Sequence, residues 1–387
     1  DMDVIAKRSV MRAKFIYEVR DRLMKEMEDE EVMQMYNDIE LPLAIVLGKM
    51  ECNGIRVSKD ILQEMGDDIT LRLDAILKEI YDMAGCEFNV ASPKQLGQVL
   101  FEKLGLPGGK KTKSGGYTTD SNTLNKYIHD YPIVSKVLEY RTLSKLLSTY
   151  VVGITNAISD DGKIHTIYTQ TLTRTGRLSS IEPNLQNIPV RNEYGKLIRK
   201  AFLPEDDSLI MSADYSQIEL RIFAHLSQVS ELIHAFNSDM DIHAKTASDV
   251  FHVPIDKVTK DMRRQAKAVN FGILYGISSY GLSEDLGISP KEAKEFINKY
   301  LETYPGIKDY MNKEIEQARE LGYVKTIMNR KRLLPEIKDA SYVIRSMGER
   351  MALNTPIQGS SADILKKAMV EIDEEFTKRK LKSTMLL

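Results

Sequence analysis

Two segments constrain this chain more than anything else in it. The first, Asp214-Tyr215-Ser216-Gln217-Ile218-Glu219-Leu220-Arg221, follows directly on the apolar run Leu209-Ile210-Met211. The second is Arg263-Arg264-Gln265-Ala266-Lys267-Ala268-Val269-Asn270-Phe271-Gly272-Ile273-Leu274-Tyr275-Gly276. The apolar run reads as a buried strand over 209–213, which sets Asp214 at a strand's end, with a helix over 217–226 behind it. In the second segment Arg263, Lys267, Phe271 and Tyr275 recur at a spacing of four. At 3.6 residues per turn each step drifts by about 40°, so they form a slowly turning ribbon along one side of a helix. The cations lie toward the N-terminal end, where the helix dipole also favours anions. The aromatics follow, where a flat base would lie if its phosphates lay at the cations. A metal-bound polyphosphate attached to a base needs both segments.

Each segment has a plainer reading. Asp214 could be the N-cap of the helix behind it. A carboxylate there could equally hold Mg²⁺, which keeps several waters and takes one or two carboxylates plus substrate phosphates. The second segment alone could be an amphipathic helix with a basic face and buried aromatics. Taken together, the two favour the polyphosphate reading. Glu219 falls on the first turns of its helix and could face the same cleft.

With 387 residues the chain is too long for one compact core, so two or three domains are expected. The formal net charge of -2 speaks weakly against nucleic acid, but its distribution matters more than its sum. Basic residues gather at Lys110-Lys111-Lys113, Arg174 and Arg177, Arg263-Arg264-Lys267 and Arg330-Lys331-Arg332. Any one cluster reads as a solvated face; four of them beside Gly, Thr or aromatic residues point toward phosphate. Cys52 and Cys86 give no disulfide framework, which suits a reducing cytoplasm, and no apolar run approaches the roughly 18–20 residues of a membrane span. The start at Asp1 and the abrupt end read as a piece of a longer protein.

Along the chain, apolar spacing predicts helices over 9–28 and 59–83, a third opened by Ser92-Pro93, and a fourth over 132–150. The Gly- and Lys-rich stretch 105–117 reads as an exposed loop. A strand is expected over 163–171, then irregular polar backbone over 173–191. The pattern is helical from 241 to 321, a hairpin is expected over 324–335 turning near Asn329-Arg330, and 341–380 is helical with a break at Pro356. An apolar strand begins at 383–387.

At this point a resemblance is plain. Residues 214–221 resemble motif A, and residues 263–276 motif B, of the family A DNA polymerases, the class of bacterial DNA polymerase I. Thr175-Gly176-Arg177-Leu178-Ser179-Ser180, Pro183-Asn184-Leu185-Gln186-Asn187-Ile188-Pro189, Asp241-Ile242-His243 and Asn354-Thr355-Pro356-Ile357-Gln358-Gly359 are similar to further segments of that family. The resemblance implies an α+β, right-hand architecture of thumb, palm and fingers, mostly helical with an antiparallel palm sheet. It implies the tail of a 3′–5′ exonuclease-like domain over 1–38, thumb over 39–150, palm over 151–240, fingers over 241–334 and a second part of the palm over 335–387.

It also implies roles. Asp214 would bind two Mg²⁺ ions, with Mn²⁺ a possible substitute, and the Tyr215 carbonyl would add a ligand. Arg263 and Lys267 would grip the triphosphate, with Ser216, Gln217 and His243 nearby; Lys267 could also protonate the leaving pyrophosphate. Phe271 would pack on sugar and base, Tyr275 and Tyr280 would manage the template base, and Glu219 would exclude a 2′-hydroxyl. Arg177, Asn184, Gln186, Asn187, Arg350, Asn354 and Gln358 would touch primer–template. Donors suit the minor groove, where every base pair shows acceptors at purine N3 or pyrimidine O2. Asn354 and Gln358 could instead merely satisfy backbone at Pro356. Lys110, Lys111 and Lys113 would meet phosphates from the thumb. The implied reaction is template-directed nucleotidyl transfer from a deoxynucleoside triphosphate to a primer 3′-hydroxyl, by a monomer in the bacterial cytosol.

A two-metal mechanism needs carboxylates on both sides of the ion pair. In the family the second lies in a His-Asp motif just after a strand like 385–387; the His-Asp pair this sequence does contain, His129-Asp130, falls in the segment the resemblance assigns to the thumb and is not that motif. The chain is therefore expected to be a catalytically incomplete fragment that binds nucleotide and primer–template. A single-subunit RNA polymerase of related architecture is the remaining enzymatic reading; Glu219 speaks against it, since its carboxylate would crowd a 2′-hydroxyl.

Overall fold

The computed structural model describes residues 2–111, 115–189, 193–238 and 240–386. The chain divides into two compact units: residues 1–49, 169–179 and 212–385 form one, and residues 50–168, 180–211 and 386–387 the other.

The second unit is organised by the helix Lys59–Ala84. Ser58 caps its start by accepting from the Ile61 N–H, and Gly85, at φ 63°, closes its end in the left-handed region. Leu62, Met65, Ile69, Ile76, Ile80 and Ala84 recur at spacings of three, four and seven and are buried. They pack with Leu96, Leu100, Leu124, Val134 and Val137 into one core. Ser92 and Pro93 start a helix as the sequence predicts. The helix expected over 132–150 is regular over Pro132–Lys145 and continues as a wider π-type segment over Leu146–Val152. The predicted strand over 163–171 is two short pieces, β2 (Lys163–Ile164) and β3 (Ile167–Thr169). β2 pairs antiparallel with β1 (Ile55–Val57), which pairs antiparallel with β5 (Phe202–Leu203). β4 (Ser179–Ile181) lies within the stretch read as irregular.

In the first unit, one core gathers Leu220, Phe223, Val269, Ile273, Tyr300 and Ile307 from the helices Ile218–Ser227, Lys260–Leu274, Pro290–Thr303 and Pro305–Leu321, with Tyr304 from the junction of the last two. A smaller core of Val324, Leu334, Ile337 and Ala352 lies beneath the expected hairpin, β6 (Tyr323–Lys325) with β7 (Lys331–Leu333). Asn329 at φ 63° supplies the left-handed turn residue. The first helix, Met2–Asp29, buries none of its residues, so its apolar positions lie open.

Three expectations are corrected. Residues 209–213 form no strand, and Leu209 and Met211 are 93% and 85% exposed. A strand persists by pairing and by covering its apolar face, and neither happens here among the described residues. Pro356 breaks nothing: the helix Tyr342–Lys378 runs through it. A proline inside a helix costs about 3 kcal/mol. Burial of Ala352, Leu353, Thr355, Pro356 and Ile357 around it offsets that cost. Residues 383–386 are not a strand.

Candidate functional site

The helix Lys260–Leu274 starts at Thr259, whose hydroxyl accepts from the Met262 N–H at 3.2 Å. Ala266, Val269, Asn270, Ile273 and Leu274 turn inward. That leaves Arg263 and Lys267 exposed, Phe271 half-buried and Tyr275, just past the helix end, 39% exposed. The predicted ribbon is therefore the open side of this helix, because the burial of the other side leaves no alternative.

Asp241 joins two of the expected phosphate-binding residues. Its Oδ1 accepts from the backbone N–H groups of His243 and Ala244 at 3.0 and 3.1 Å, capping the helix Ile242–Phe251. Its Oδ2 accepts from Arg263 Nε at 2.7 Å. Burial alone would raise this carboxyl, but Arg263 and the helix N–H groups hold it below the usual carboxylate range. His243 is 1% exposed, which differs from an open phosphate contact. Its ring lies 5.7 Å from that of Phe271, and Asn270 Nδ2 donates to its Nδ1 at 3.1 Å. The Gln217 amide nitrogen lies 3.3 Å from its Nε2. Burial, with Arg263 and Lys267 adding to it against Asp241, pushes the imidazole down to about 4.

Glu219 is the meeting point of three segments. Arg177 donates to its Oε1, and Tyr275 Oη donates to its Oε2 at 2.5 Å. Burial and the bond to Glu219 push the Tyr275 phenol up to about 12. Gln217, at φ 57°, takes the N-cap position with no side-chain cap, so the helix begins beneath Glu219 without help from Asp214. Asp214, Tyr215 and Ser216 are exposed. The N-cap reading of Asp214 is thus overturned, and so is its place at a buried strand's end. Among the described residues Asp214 has no hydrogen bond or ion pair, and no group of three or more His, Cys, Asp or Glu could hold a metal. One carboxylate and one carbonyl fall short of a complete ligand set.

Arg350, Asn354 and Gln358 lie at successive spacings of four on the helix Tyr342–Lys378, which makes a second polar ribbon. Asn354 Oδ1 is buried with no hydrogen-bond partner among the described residues. Gly276, at φ 61°, lets the turn after Tyr275 approach this ribbon: a Cβ there would stand 2.9 Å from Arg350 Cγ. Tyr280 is 61% exposed on the next helix, Ser279–Leu286.

The remaining expected contacts belong to the second unit. Asn184, Gln186 and Asn187 are exposed on a loop held by Asn184 Oδ1, which accepts from the Gln186 N–H at 3.0 Å, and by Tyr150, which donates to the Asn187 carbonyl. Asn184 and Asn187 line a cavity of about 390 Å³ together with Lys145, Thr149 and Tyr150. Lys110 and Lys111 are exposed, and Lys111 Nζ lies 5.5 Å over the Tyr117 ring. Lys113 lies outside the described residues.

Sequence reasoning missed Asn270 and the bridging role of Asp241. A polar residue on the buried face of the Lys260–Leu274 helix was the signal for the first; nothing in the local spacing signals the second.

A polymerase fold is what these elements define, and the comparisons agree. The sequence profile described as DNA polymerase family A matches residues 59–387, so the chain belongs to that family, whose members depend on divalent metals. It is 50% identical over 387 residues to DNA polymerase I of Bacillus subtilis (strain 168) and 49% identical over 389 residues to that of Geobacillus stearothermophilus. Each alignment takes in 100% of this chain and 44% of the relative, so the chain spans less than half the length of either relative. Among solved structures it matches the POL domain of Pol1 from M. smegmatis in complex with DNA primer-template and dNTP. The TM-score is 0.93 at 42% identity, over 98% of this chain and 67% of that one. No described helix is long and apolar enough to cross a membrane.

Proposed function

We propose that this chain is the nucleotide- and primer-holding part of an enzyme of template-directed DNA synthesis, acting as a monomer in the bacterial cytosol. The observation that carries this reading is the Glu219 carboxylate, held by Arg177 on one side and Tyr275 on the other. A sugar bound over Phe271 would meet a fixed anion where a 2′-hydroxyl would sit. Arg263 and Lys267 would receive the triphosphate, and a loose phosphoryl transition state is served by such positioning and charge neutralisation. Tyr280, Arg350, Asn354 and Gln358 in one unit, and Asn184, Gln186, Asn187 and the Lys110–Lys111 loop in the other, would hold primer–template. Asp214 and the Tyr215 carbonyl would be this segment's share of a Mg²⁺ site, with Mn²⁺ as substitute. The thumb, palm and fingers would divide as the sequence implies, with fingers over 241–334.

Primer extension tests the reading. The full-length polymerase containing this segment should add a matched deoxynucleotide to a primer, and Asp214→Ala should lower the rate by roughly a hundredfold or more. Failure of the unaltered enzyme to extend would refute it. Among the described residues no group of three or more His, Cys, Asp or Glu gathers to hold a metal, which favours a second reading for this chain by itself: binding without catalysis. Labelled primer–template should be retained by this chain while the primer stays unextended.

A further inference from the structure

Four ionised side chains meet in the first unit, away from the helix Lys260–Leu274. Glu40 ends the helical turn Tyr36–Glu40, Arg330 follows the hairpin turn, and Asp363 and Lys366 lie on the helix Tyr342–Lys378. Arg330 and Lys366 both donate to Glu40 Oε1, the latter at 2.8 Å. Arg330 Nε donates to Asp363 Oδ1 at 2.7 Å, and Thr326 Oγ1 donates to Asp363 Oδ2 at 2.6 Å. Asp363 and Lys366 are 0% and 1% exposed. Two anions balance two cations, so the group is satisfied without solvent.

What this group touches gives it a use. Gln170 donates to Glu40 twice, to Oε2 at 2.7 Å and to the backbone carbonyl at 3.0 Å. Six residues on, Gly176 sits at φ 80° directly against Arg330: a Cβ there would fall 2.7 Å from both Cδ and Nε. Thr175 is held from the other side, its carbonyl 3.2 Å from where a Cβ on Gly359 would stand. Thr173 Oγ1 closes the loop by donating to the Arg177 carbonyl at 2.6 Å. The segment is therefore pinned at its start to Glu40 and at its tip to Arg330, which is itself bonded to Glu40. The next side chain after the tip is Arg177, which donates to Glu219.

We propose that Glu40 and Arg330 are positioning residues for sugar selection: their buried ion network, acting through the Gly176 contact, fixes Arg177 against Glu219. This rests on the polymerase reading above. The network acts through the loop it clamps.

The test is a double-mutant analysis in the full-length polymerase. Glu40→Gln weakens the hub, Arg330→Lys keeps the charge but loses the fork joining Glu40 to Asp363, and Gly176→Ala pushes the tip off Arg330. Each is made with Arg177 intact and with Arg177→Ala, and the readout is the ratio of kcat/KM for a ribonucleotide to that for its deoxynucleotide. Arg177→Ala by itself, and each network variant with Arg177 intact, should raise that ratio, by about tenfold for loss of a charged hydrogen bond. In the Arg177→Ala background the network variants should add nothing. Equal effects in both backgrounds would overturn the proposal, because they would mark general loosening of the fold. An unchanged ratio in Arg177→Ala would also overturn it while leaving the polymerase reading intact. Absence of deoxynucleotide incorporation by the unaltered enzyme would instead remove the reading on which it rests. Should Gly176→Ala not fold, Arg330→Lys and Glu40→Gln decide.

Discussion

Tyr275 Oη donates to Glu219 Oε2 at 2.5 Å, a bond that ties the turn just past the helix Lys260–Leu274 to the start of the helix Ile218–Ser227. The phenol is the donor, since burial and the carboxylate push it up to about 12 and it stays protonated at any working pH. With Arg177 on the other oxygen, both oxygens of the carboxylate are committed, so its position is fixed.

The first prediction concerns that position. In the full-length polymerase, Tyr275→Phe should free one side of Glu219 and raise ribonucleotide use relative to deoxynucleotide by about tenfold, as for loss of a hydrogen bond to a charged group. Glu219→Ala should raise it further, because the obstacle itself is gone. Single-nucleotide incorporation kinetics with matched ribo- and deoxynucleotides measure both. Unchanged discrimination in Glu219→Ala would remove Glu219 from sugar selection.

The second prediction follows from the buried imidazole of His243. Its ordinary value is 6.5 and the fold lowers it to about 4. Between those values the unfolded chain takes up a proton that the folded chain refuses. Stability is therefore complete above pH 6.5 and is lost as pH falls toward 4. At pH 5 the loss from this one group is about 2 kcal/mol. His243→Gln should show less difference between urea midpoints at pH 7 and pH 5 than the unaltered protein does. An identical difference would mean that His243 is not held neutral.

How much of this was legible in the sequence depended on distance along the chain. The ribbon Arg263–Lys267–Phe271–Tyr275 could be read because a helix period is local, and a buried opposite face leaves it nowhere else to point. The hairpin at Asn329 was equally local. Glu219 could be singled out, but its partners stand 42 and 56 residues away, and no spacing rule connects them. The network on Glu40 spans 326 residues and left no trace in the sequence pattern. The strand over 209–213 was misread for a different reason. An apolar run says what a segment would bury, not whether a neighbour is there to cover it, and Leu209 stands 93% exposed. Pro356 shows the converse: local chemistry forbids a helix that surrounding burial imposes.

The third prediction separates charge from packing on the helix. Arg263 and Lys267 are exposed, and the Arg263 pair with Asp241 is itself open to solvent, so replacing either with Ala should change stability by no more than about 1 kcal/mol. Nucleotide affinity should fall for both, more steeply at low salt, where phosphate contacts are least screened. Equilibrium titration of a deoxynucleoside triphosphate on the polymerase–primer–template complex measures the change. Unaltered affinity in both variants would move the triphosphate site off this helix.

The fourth prediction divides the two duties of Asp241. Oδ1 caps the helix that carries His243, and Oδ2 holds Arg263. Asn caps a helix as well as Asp does, so Asp241→Asn should keep the cap and weaken only the hold on Arg263. Asp241→Ala removes both, with a further loss of about 1 kcal/mol in stability from the missing cap. Because Asp241 sits below the usual carboxylate value of 3.8, what it contributes is present above that pH and fades as pH drops through the lower folded value. At neutral pH both variants should raise KM for the incoming nucleotide to a similar extent, since both release Arg263, while only Asp241→Ala lowers the melting temperature appreciably. A KM effect confined to Asp241→Ala would show that the cap on the His243 helix, and not the tether on Arg263, is what the nucleotide senses.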